Sequence, residues 1–335
     1  FGAPLAAAGV FLAKDLLASA VSLFGATLLL GLLPLTRSLE GPPLQGAAAA
    51  LLVPLLLLLA LAIAGLATRR TVEYRYEDLA PHVKRIVERE RVKAEIDAAN
   101  RIQAALLPSS DPKLPGVVVA SHYRAATEIG GDYFDFLPLP GGRIGLAFGD
   151  VAGHGLTSGI VMAMAKSALL VQAGHDPSPV RVMEALNETV RKTAPKRMLM
   201  TFFFGVLDPA TGELRYASAG HLDPYVVRAG GGAPEPLSAW GFPLGVKRRT
   251  PFVEHTAHLG PGDRLVLYSD GLIEALDDDG EPFGFTRFEQ VLAGAAKEGA
   301  DAMRQSLLSA VRKFTRNRPP EDDQTLVVLS VGPAP

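Results

Sequence analysis

Two long apolar segments lie near the start of the chain. Residues 16–35 and 46–67 contain no charged side chain, and about twenty apolar residues in a helix are enough to cross the hydrocarbon core of a bilayer. Residues 36–43, which separate the two segments, contain the pair Pro42–Pro43 and suit a tight hairpin at one membrane face. The pattern therefore predicts a membrane region, residues 1–67, with two transmembrane helices.

Basic residues give this membrane region an orientation. Arg69 and Arg70 directly follow the second apolar segment, and positively charged residues are retained on the cytoplasmic side of a membrane. We therefore expect a multi-pass protein of the cytoplasmic membrane, with everything after Ala67 in the cytoplasm. Two alternatives stay open, namely buried helices of a large soluble protein and, for the first segment, a signal peptide. Since the first residue is Phe rather than Met, we also expect the chain to begin inside a longer product.

A charged segment, residues 68–107, follows the membrane region. Its apolar residues recur at steps of three and four, which predicts a linker helix, although their phase changes across residues 88–91. One hypothesis is that this helix forms a coiled coil, joins two chains into a homodimer and conveys a signal from the membrane. An ordinary amphipathic helix packed on its own domain fits the pattern equally well. The apolar positions are Val72, Tyr76, Leu79, Val83, Ile86, Val92, Ile96, Ala99, Ile102 and Leu106.

The remaining residues, 108–332, have the pattern of a globular domain. Pro108 ends the linker helix, and short apolar runs bounded by Gly, Pro or Asp then predict strands. These strands come in successive runs rather than alternating with helices, which favours an α+β fold with an antiparallel sheet covered by helices. The predicted strands are 117–122, 143–148, 201–207, 213–218, 264–268 and 325–330, and the predicted helices are 156–173, 178–193, 286–297 and 301–316.

Composition excludes several kinds of chemistry. The net charge is only −2 and the pI is about 6.4, so the chain offers no broad basic surface and nucleic acid is not an expected partner. The sequence contains no cysteine. This excludes disulfides, thiolate metal sites and every mechanism that uses a cysteine nucleophile.

Acidic residues lie beside several of the predicted strands. Asp150 follows the strand 143–148 and Asp270 follows the strand 264–268, while Asp132 comes after two glycines and Asp322–Asp323 precedes the last strand. Hard divalent cations need several oxygen ligands, and a site for two of them needs carboxylates from distant parts of the chain. Each motif taken singly is also ordinary turn chemistry. Together they predict a metal-dependent hydrolase.

The order of these motifs resembles a known family. Residues 99–331 resemble the bacterial SpoIIE and RsbU-like branch of the metal-dependent protein phosphatase 2C superfamily. The resemblance implies a β-sandwich flanked by helices, two Mn²⁺ or Mg²⁺ ions, and hydrolysis of phosphoserine or phosphothreonine on a protein by a water that both ions activate. The motifs that carry it are Ile102–Gln103 with Leu106–Leu107–Pro108, residues 128–135 (EIGGDYFD), residues 149–155 (GDVAGHG), residues 218–221 (SAGH), residues 268–271 (YSDG) and residues 322–325 (DDQT).

The same resemblance implies roles for the acidic residues. Asp150 corresponds to the carboxylate that bridges both metals, and the backbone carbonyl of Val151 adds a ligand. Asp270 and Asp322 correspond to ligands of the first ion, and Asp132 corresponds to a ligand of the second ion through water. Motif register alone leaves open whether Asp322 or Asp323 points inward.

Three further residues are candidates for substrate binding or proton transfer. Arg124 precedes the Gly–Gly–Asp segment, where it would suit a substrate phosphate, although a solvated surface arginine fits as well. Animal members of the superfamily place a histidine two residues after the bridging aspartate, and Ala152 stands there in this chain. His154 and His221 therefore remain as candidate proton donors, with a purely structural role as the alternative for each.

These observations predict a membrane-anchored serine/threonine protein phosphatase. By analogy with the family, its substrate is a small phosphorylated switch protein of the anti-sigma-factor-antagonist type. Two other functions stay open. One is a catalytically silent signalling module that binds a partner protein through the same surface, and the other is a two-metal phosphodiesterase or nuclease.

Overall fold

The computed structural model describes the chain from residue 81 onward. The described residues are 81–127, 130–153, 155–195 and 198–332, together with the isolated positions Gly25 and Leu56. The predicted transmembrane helices 16–35 and 46–67 otherwise lie outside the described residues. The chain divides into two compact units, residues 1–84 and 85–335, and the elements below belong to the second unit except for the first residues of its first helix.

From residue 81 onward, the described part of the chain contains six α-helices and ten strands. The helices are α1 (Pro81–Ala104), α2 (Leu156–His175), α3 (Pro179–Thr193), α4 (Asp270–Ile273), α5 (Gly284–Gly294) and α6 (Ala300–Phe314). The strands are β1 (Val117–Arg124), β2 (Asp132–Pro138), β3 (Ile144–Val151), β4 (Met200–Asp208), β5 (Glu213–Ala219), β6 (Tyr225–Val227), β7 (Glu235–Pro236), β8 (His255–His258), β9 (Arg264–Tyr268) and β10 (Gln324–Val331).

The strands form two five-stranded antiparallel sheets. The first sheet has the order β1-β10-β9-β6-β7 and the second has the order β2-β3-β4-β5-β8. All the paired strands are antiparallel. The predicted α+β fold with an antiparallel core is therefore confirmed, as a sandwich of two sheets with helices on both sides.

Burial on both faces explains the unbroken apolar runs of the central strands. In β10, Val327 and Leu329 pack into the core that the two sheets share, while Leu326 and Val328 face α5 and α6. Successive side chains of a strand point to opposite faces, so a strand covered on both sides has no polar position in its middle. The run Phe202–Phe204 in β4 has the same cause, since all three rings are fully buried.

Two helical layers cover the sheets. Helices α2 and α3 pack on the second sheet, and α5 and α6 pack on the first. Within the described residues, α2 is the one helix that is long and apolar enough to cross a membrane. Its buried side chains, which include Val161, Met162 and Leu169, belong to the core of the sandwich. Packing inside the domain therefore explains the apolar character of α2.

Four short or polar strands were not predicted. β2, β6, β7 and β8 lack a sustained apolar run, and their pairing partners rather than their own sequences make them strands. One positional prediction near the candidate site was wrong, because Asp150 lies inside β3 rather than after it. The prediction for Asp270 is confirmed, since it follows β9, and it also opens the short helix α4.

Helix α1 lies within the predicted linker range. It ends at Ala104, and near this end the buried Gln103 side chain donates a hydrogen bond of 2.6 Å to the carbonyl oxygen of Gly130. Residues 68–80 lie outside the described part of the chain. The coiled coil and the homodimer stay predictions.

A buried aspartate joins the loop that follows β6 to the loop that precedes β9. The Asp263 carboxylate accepts hydrogen bonds of 2.9 Å from the Ala229 and Gly260 backbone N–H groups and from the Arg228 guanidinium. Although burial raises the pKa of this carboxyl, the three hydrogen bonds outweigh it and lower the pKa below the usual aspartate value. Arg228 also pairs with Glu235 on the surface.

We expect Asp263→Ala to lower the free energy of unfolding by about 1–3 kcal/mol at pH 7, because it removes an acceptor of several buried hydrogen bonds. Glu235→Ala removes the exposed partner of the same arginine and should cost under about 1 kcal/mol. A carboxyl with a depressed pKa stabilises the fold above its unfolded pKa and loses this effect as pH falls. Urea unfolding at pH 7 and pH 3 tests both points. Equal losses for the two variants at pH 7, or an Asp263→Ala loss that does not shrink at pH 3, would contradict this account.

Candidate metal centre

The predicted acidic residues meet at one end of the sandwich. Asp132 opens β2 and lies opposite Asp150 in the β2–β3 pairing. In the other sheet, Leu326 of β10 lies opposite Tyr268 of β9, so the residues just after β9 and just before β10 lie together. The ends of antiparallel neighbours meet in this way because one strand starts where its partner stops.

Asp323 fastens the two sheets at this end. Its side chain is buried and accepts hydrogen bonds from the backbone N–H groups of Ala126, at 2.9 Å, and of Gly131, at 2.6 Å. It also lies 3.4 Å from the Asp132 nitrogen. The Asp323 carboxylate oxygens are thus both used as hydrogen-bond acceptors for the backbone that leads into β2. Asp322, in contrast, is exposed beside a cavity of about 530 Å³ that also borders Gly271.

Asp132 is held by a second set of contacts between the sheets. Its carboxylate, which is 1% exposed, accepts a hydrogen bond of 2.5 Å from the Thr325 hydroxyl. Burial raises the pKa of Asp132 well above the usual aspartate value, and the nearby negative charge of Asp150 raises it further. Hydrogen bonds from Thr325 and Ser269 oppose this rise. At this position a positive charge, or protonation of one carboxyl, would offset the repulsion between the two carboxylates.

Asp150, Asp270 and Asp322 lie close enough together for their charges to affect one another. Burial raises the pKa of Asp150 to about 7, and the charges of Asp270, Asp322 and Asp323 add to the effect. Burial also raises the pKa of Asp270, followed by the charges of Asp322 and Glu274. Each carboxylate thus disfavours ionisation of its neighbours, which is the charge pattern of a site for cations.

Backbone oxygens complete a cradle beside Asp150. A Cβ atom placed on Gly131 would lie 2.7 Å from the Val151 carbonyl oxygen, 2.8 Å from Asp150 Oδ1 and 3.1 Å from the Gly153 carbonyl oxygen. Three oxygens therefore lie close together beside Gly131, and only glycine leaves room for so close an approach. Among the described residues, no three Asp, Glu or His side chains meet closely enough to hold an ion without such backbone help. The mixture of carboxylate and carbonyl oxygens fits a hard divalent cation.

The candidate proton donors have different surroundings. His154 lies outside the described residues. His221 is buried, its Nδ1 lies 2.9 Å from the Thr201 hydroxyl, and burial lowers the pKa of its imidazole to about 4. His221 is therefore neutral at pH 7, which suits a structural role better than proton donation.

Arg124 lies at the exposed end of β1. The preceding residue, Tyr123, packs against the core between the sheets, so Arg124 points to the opposite face. There its charge, together with those of Arg304 and Arg312 on α6, adds to the effect of burial in lowering the pKa of His122. The described contacts do not join Arg124 to the carboxylates, and its role in binding a substrate phosphate stays a prediction.

Some residues of the centre were not singled out from the sequence. Thr325 and Ser269 belong to quoted motifs, yet only the fold shows that the Thr325 hydroxyl contacts Asp132 and that the Ser269 hydroxyl donates to the Asp323 carbonyl at 2.9 Å. Gly131 is the other such residue. The Gly–Gly pair before Asp132 was a signal for it, since glycine is used where the backbone must come close to other groups.

Comparisons with known proteins agree with this geometry. Residues 140–332 match the family model described as Stage II sporulation protein E (SpoIIE). The chain is 29% identical over 245 residues to phosphoserine phosphatase RsbU of Bacillus subtilis, which covers 72% of this chain and 71% of RsbU.

Two solved structures have the same fold. The RsbU and RsbW domains of Rv1364c from Mycobacterium tuberculosis match with a TM-score of 0.60 and 30% identity, over 69% of this chain and 64% of that one. The chain thus spans less than two thirds of the length of Rv1364c in that structure. The SiaA-PP2C domain of Pseudomonas aeruginosa matches with a TM-score of 0.63 and 18% identity, over 73% of this chain and 98% of that one.

The family match covers more than half of the chain, and the acidic centre lies within or directly beside the matched residues. The phosphatase relative and the fold matches agree with it. The chain belongs to the SpoIIE family, the SpoIIE and RsbU-like branch of the metal-dependent protein phosphatase 2C superfamily, and is an enzyme of the protein serine/threonine phosphatase class.

Proposed function

We propose that this chain is a membrane-anchored phosphatase that uses two Mn²⁺ or Mg²⁺ ions and removes phosphate from a serine or threonine of a small regulatory protein. The substrate would be of the anti-sigma-factor-antagonist type. Helices 16–35 and 46–67 would anchor the chain in the cytoplasmic membrane, with the catalytic domain in the cytoplasm and the linker helix pairing two chains.

One observation carries the catalytic part of this proposal. Asp150 Oδ1 and two backbone carbonyl oxygens surround the space beside Gly131, and the charges of Asp270 and Asp322 act on the same carboxylate. Phosphatases of this superfamily use divalent metal ions. An arrangement that is costly for bare carboxylates and favourable with cations supports the same use here.

The residues of the centre have separate tasks in this proposal. Asp150, the Val151 carbonyl, Asp270 and Asp322 would hold the ions, with Asp132 acting on the second ion through water. When bound, divalent cations lower the pKa of water and offset the negative charge that develops on a phosphoryl group. Asp323 and Thr325 position the backbone of Gly131 and the carboxylate of Asp132, so that the ligands from the two sheets keep a fixed separation.

The substrate and the membrane rest on other evidence. RsbU, to which this chain is similar, is named a phosphoserine phosphatase, and RsbU-type proteins act on phosphoproteins in partner-switching systems. The two uncharged apolar segments and the arginines that follow them support the membrane anchor.

Asp150→Ala and Asp270→Ala should each abolish Mn²⁺-dependent release of phosphate from a phosphoserine peptide, because each removes a carboxylate that would hold the ions. We expect losses of at least about a hundredfold in kcat/KM, as for other groups that act directly on developing charge. Asp279→Ala, which changes an exposed acidic turn residue, is the matched control. Full activity of both site variants would refute the metal assignment.

The same assay separates the two open alternatives. A silent binding module would release no phosphate from the peptide at any Mn²⁺ concentration. A two-metal phosphodiesterase would hydrolyse a cyclic dinucleotide or single-stranded DNA in preference to the phosphopeptide.

Replacement of the two neighbouring aspartates should have different effects. Asp322→Asn should raise the Mn²⁺ concentration needed for half-maximal activity with little change in thermal stability, because this exposed carboxylate faces the other ligands. Asp323→Asn should lower the free energy of unfolding by about 1–3 kcal/mol, since one of its two acceptor oxygens is lost where buried N–H groups need both. Titration calorimetry with Mn²⁺ and thermal unfolding in EDTA measure the two effects. If Asp323→Asn weakened Mn²⁺ binding and Asp322→Asn lowered stability, Asp323 would be the metal ligand and Asp322 the structural residue.

Gly131→Ala should block metal binding and also lower the free energy of unfolding, because its Cβ would lie 2.7 Å from the Val151 backbone carbonyl oxygen. The added Cβ would occupy the space between the Val151 carbonyl and Asp150, while the backbone of Gly131 does not have the positive φ that would strain an alanine. Gly174→Ala in α2, where a Cβ meets no atom within 4 Å, is the control. Calorimetry should detect Mn²⁺ binding to the control and none to Gly131→Ala. Equal binding by both variants would show that the cradle is not the ion site.

A further inference from the structure

An exposed loop between β7 and β8 combines aromatic and basic residues. This basic-aromatic loop, residues 238–249, contains Trp240, whose exposed fraction is 74%, and three consecutive exposed cations, Lys247 to Arg249. Arg248 and Arg249 form no hydrogen bond or ion pair with any described residue. An exposed tryptophan in the same loop as unpaired cations does not contribute to the hydrophobic core. Tryptophan and arginine side chains are enriched at binding hot spots.

The aromatic side chains of the loop are ordered by contacts with each other. The rings of Trp240 and Phe242 meet edge to face with centroids 4.8 Å apart. The Lys247 ammonium lies 3.5 Å from the centre of the Phe242 ring, a favourable cation–π contact. The loop therefore presents a preformed aromatic surface with positive charge beside it, and little further ordering is needed when a partner binds.

The base of the loop is fixed to the domain. The Leu244 and Met200 backbones exchange two hydrogen bonds, of 2.8 and 3.2 Å. The buried Asn187 side chain of α3 accepts from the Gly245 N–H at 2.9 Å and donates to the Lys247 carbonyl at 3.0 Å. The exposed residues are thus held at one place on the surface.

This place is beside the candidate metal centre. Met200, to which the loop is bonded, lies opposite Val151 in the β3–β4 pairing, and Val151 supplies a carbonyl of the cradle. The loop therefore continues the end of the second sheet at which the carboxylates meet. Its charge is opposite to theirs, so the mouth of the site has an acidic centre with a basic side.

We propose that the basic-aromatic loop docks an acidic surface of the phosphorylated protein substrate while the phosphate occupies the metal centre. This inference rests on the proposed phosphatase function. A phosphoprotein with acidic residues near its phosphate would be repelled by the aspartates of the centre, and Lys247 to Arg249 offset this repulsion. Trp240 supplies the apolar contact that fixes the register of the partner, since charges alone steer encounter more than they add affinity.

A kinetic comparison tests the charge complementarity. The full chain in neutral detergent with saturating Mn²⁺ is assayed on two phosphoserine peptides of equal length, one flanked by Asp and Glu and one by Lys and Arg, and on p-nitrophenyl phosphate. We expect the combined variant Lys247→Ser, Arg248→Ser, Arg249→Ser to lower the ratio of kcat/KM for the acidic peptide to that for p-nitrophenyl phosphate roughly tenfold, through KM, as expected for the loss of three exposed ion pairs.

A control variant carries the same change of charge elsewhere. Lys297→Ser, Arg312→Ser, Lys313→Ser removes three exposed cations from the α5 and α6 layer and should leave the ratio as in the unchanged chain. An equal fall in both variants would assign the effect to net charge and overturn the proposal. Absence of Mn²⁺-dependent activity on every substrate would instead refute the proposed phosphatase function.

Trp240 also gives a direct binding signal, because the chain contains one tryptophan. In the Asp150→Ala variant, which prevents turnover, the acidic phosphopeptide should shift the Trp240 emission in a saturable manner that weakens with salt. The basic phosphopeptide should not. An emission shift with phosphatidylglycerol vesicles and none with the acidic peptide would overturn the proposal and assign the loop to a membrane surface.

Discussion

The buried carboxylate of Asp323 joins the two sheets at the end of the sandwich that carries the candidate metal centre. It precedes β10 in one sheet and accepts hydrogen bonds from the backbone that leads into β2 in the other. Buried charge is tolerated only when hydrogen bonds satisfy it, and these bonds at the same time set the distance between the sheets. The positions of Asp132 and Gly131 therefore depend on a residue that is not itself assigned to an ion.

Next to Asp323, the candidate metal centre brings together carboxylates that repel each other. Asp132 lies opposite Asp150 in neighbouring strands, and like charges in such pairs destabilise a sheet. The fold tolerates this pairing because both strands are anchored by large buried surfaces away from the site. The Phe202–Phe204 run of β4 and the side chains of β10 that face the shared core, Val327 and Leu329, supply that anchoring. A buried apolar sandwich thus supports a polar end at which several carboxylates lie close together.

The surface near the centre divides by charge. On one side, a cavity bordered by Asp322 and Gly271 has the exposed carboxylates of Glu274 and Glu321 in its wall, together with one cation, Arg318. On the other side, the basic-aromatic loop presents cations and a tryptophan. The electrostatic potential around the centre is therefore not uniform, and such a potential favours one orientation of an approaching partner protein.

The sequence by itself determined the main elements and the membership of the acidic set. Long apolar runs predicted β4, β9, β10 and the four longer helices that follow the linker, because burial on one or both faces leaves a periodic signal. Short strands such as β7 and β8 gave no such signal, since cross-strand pairing and not composition makes them strands. Only the tertiary structure showed that Asp323 is buried on backbone N–H groups while Asp322 is exposed, and that three oxygens lie close together beside Gly131. These facts depend on distances between residues far apart in the chain, and a linear pattern of residue types does not contain those distances.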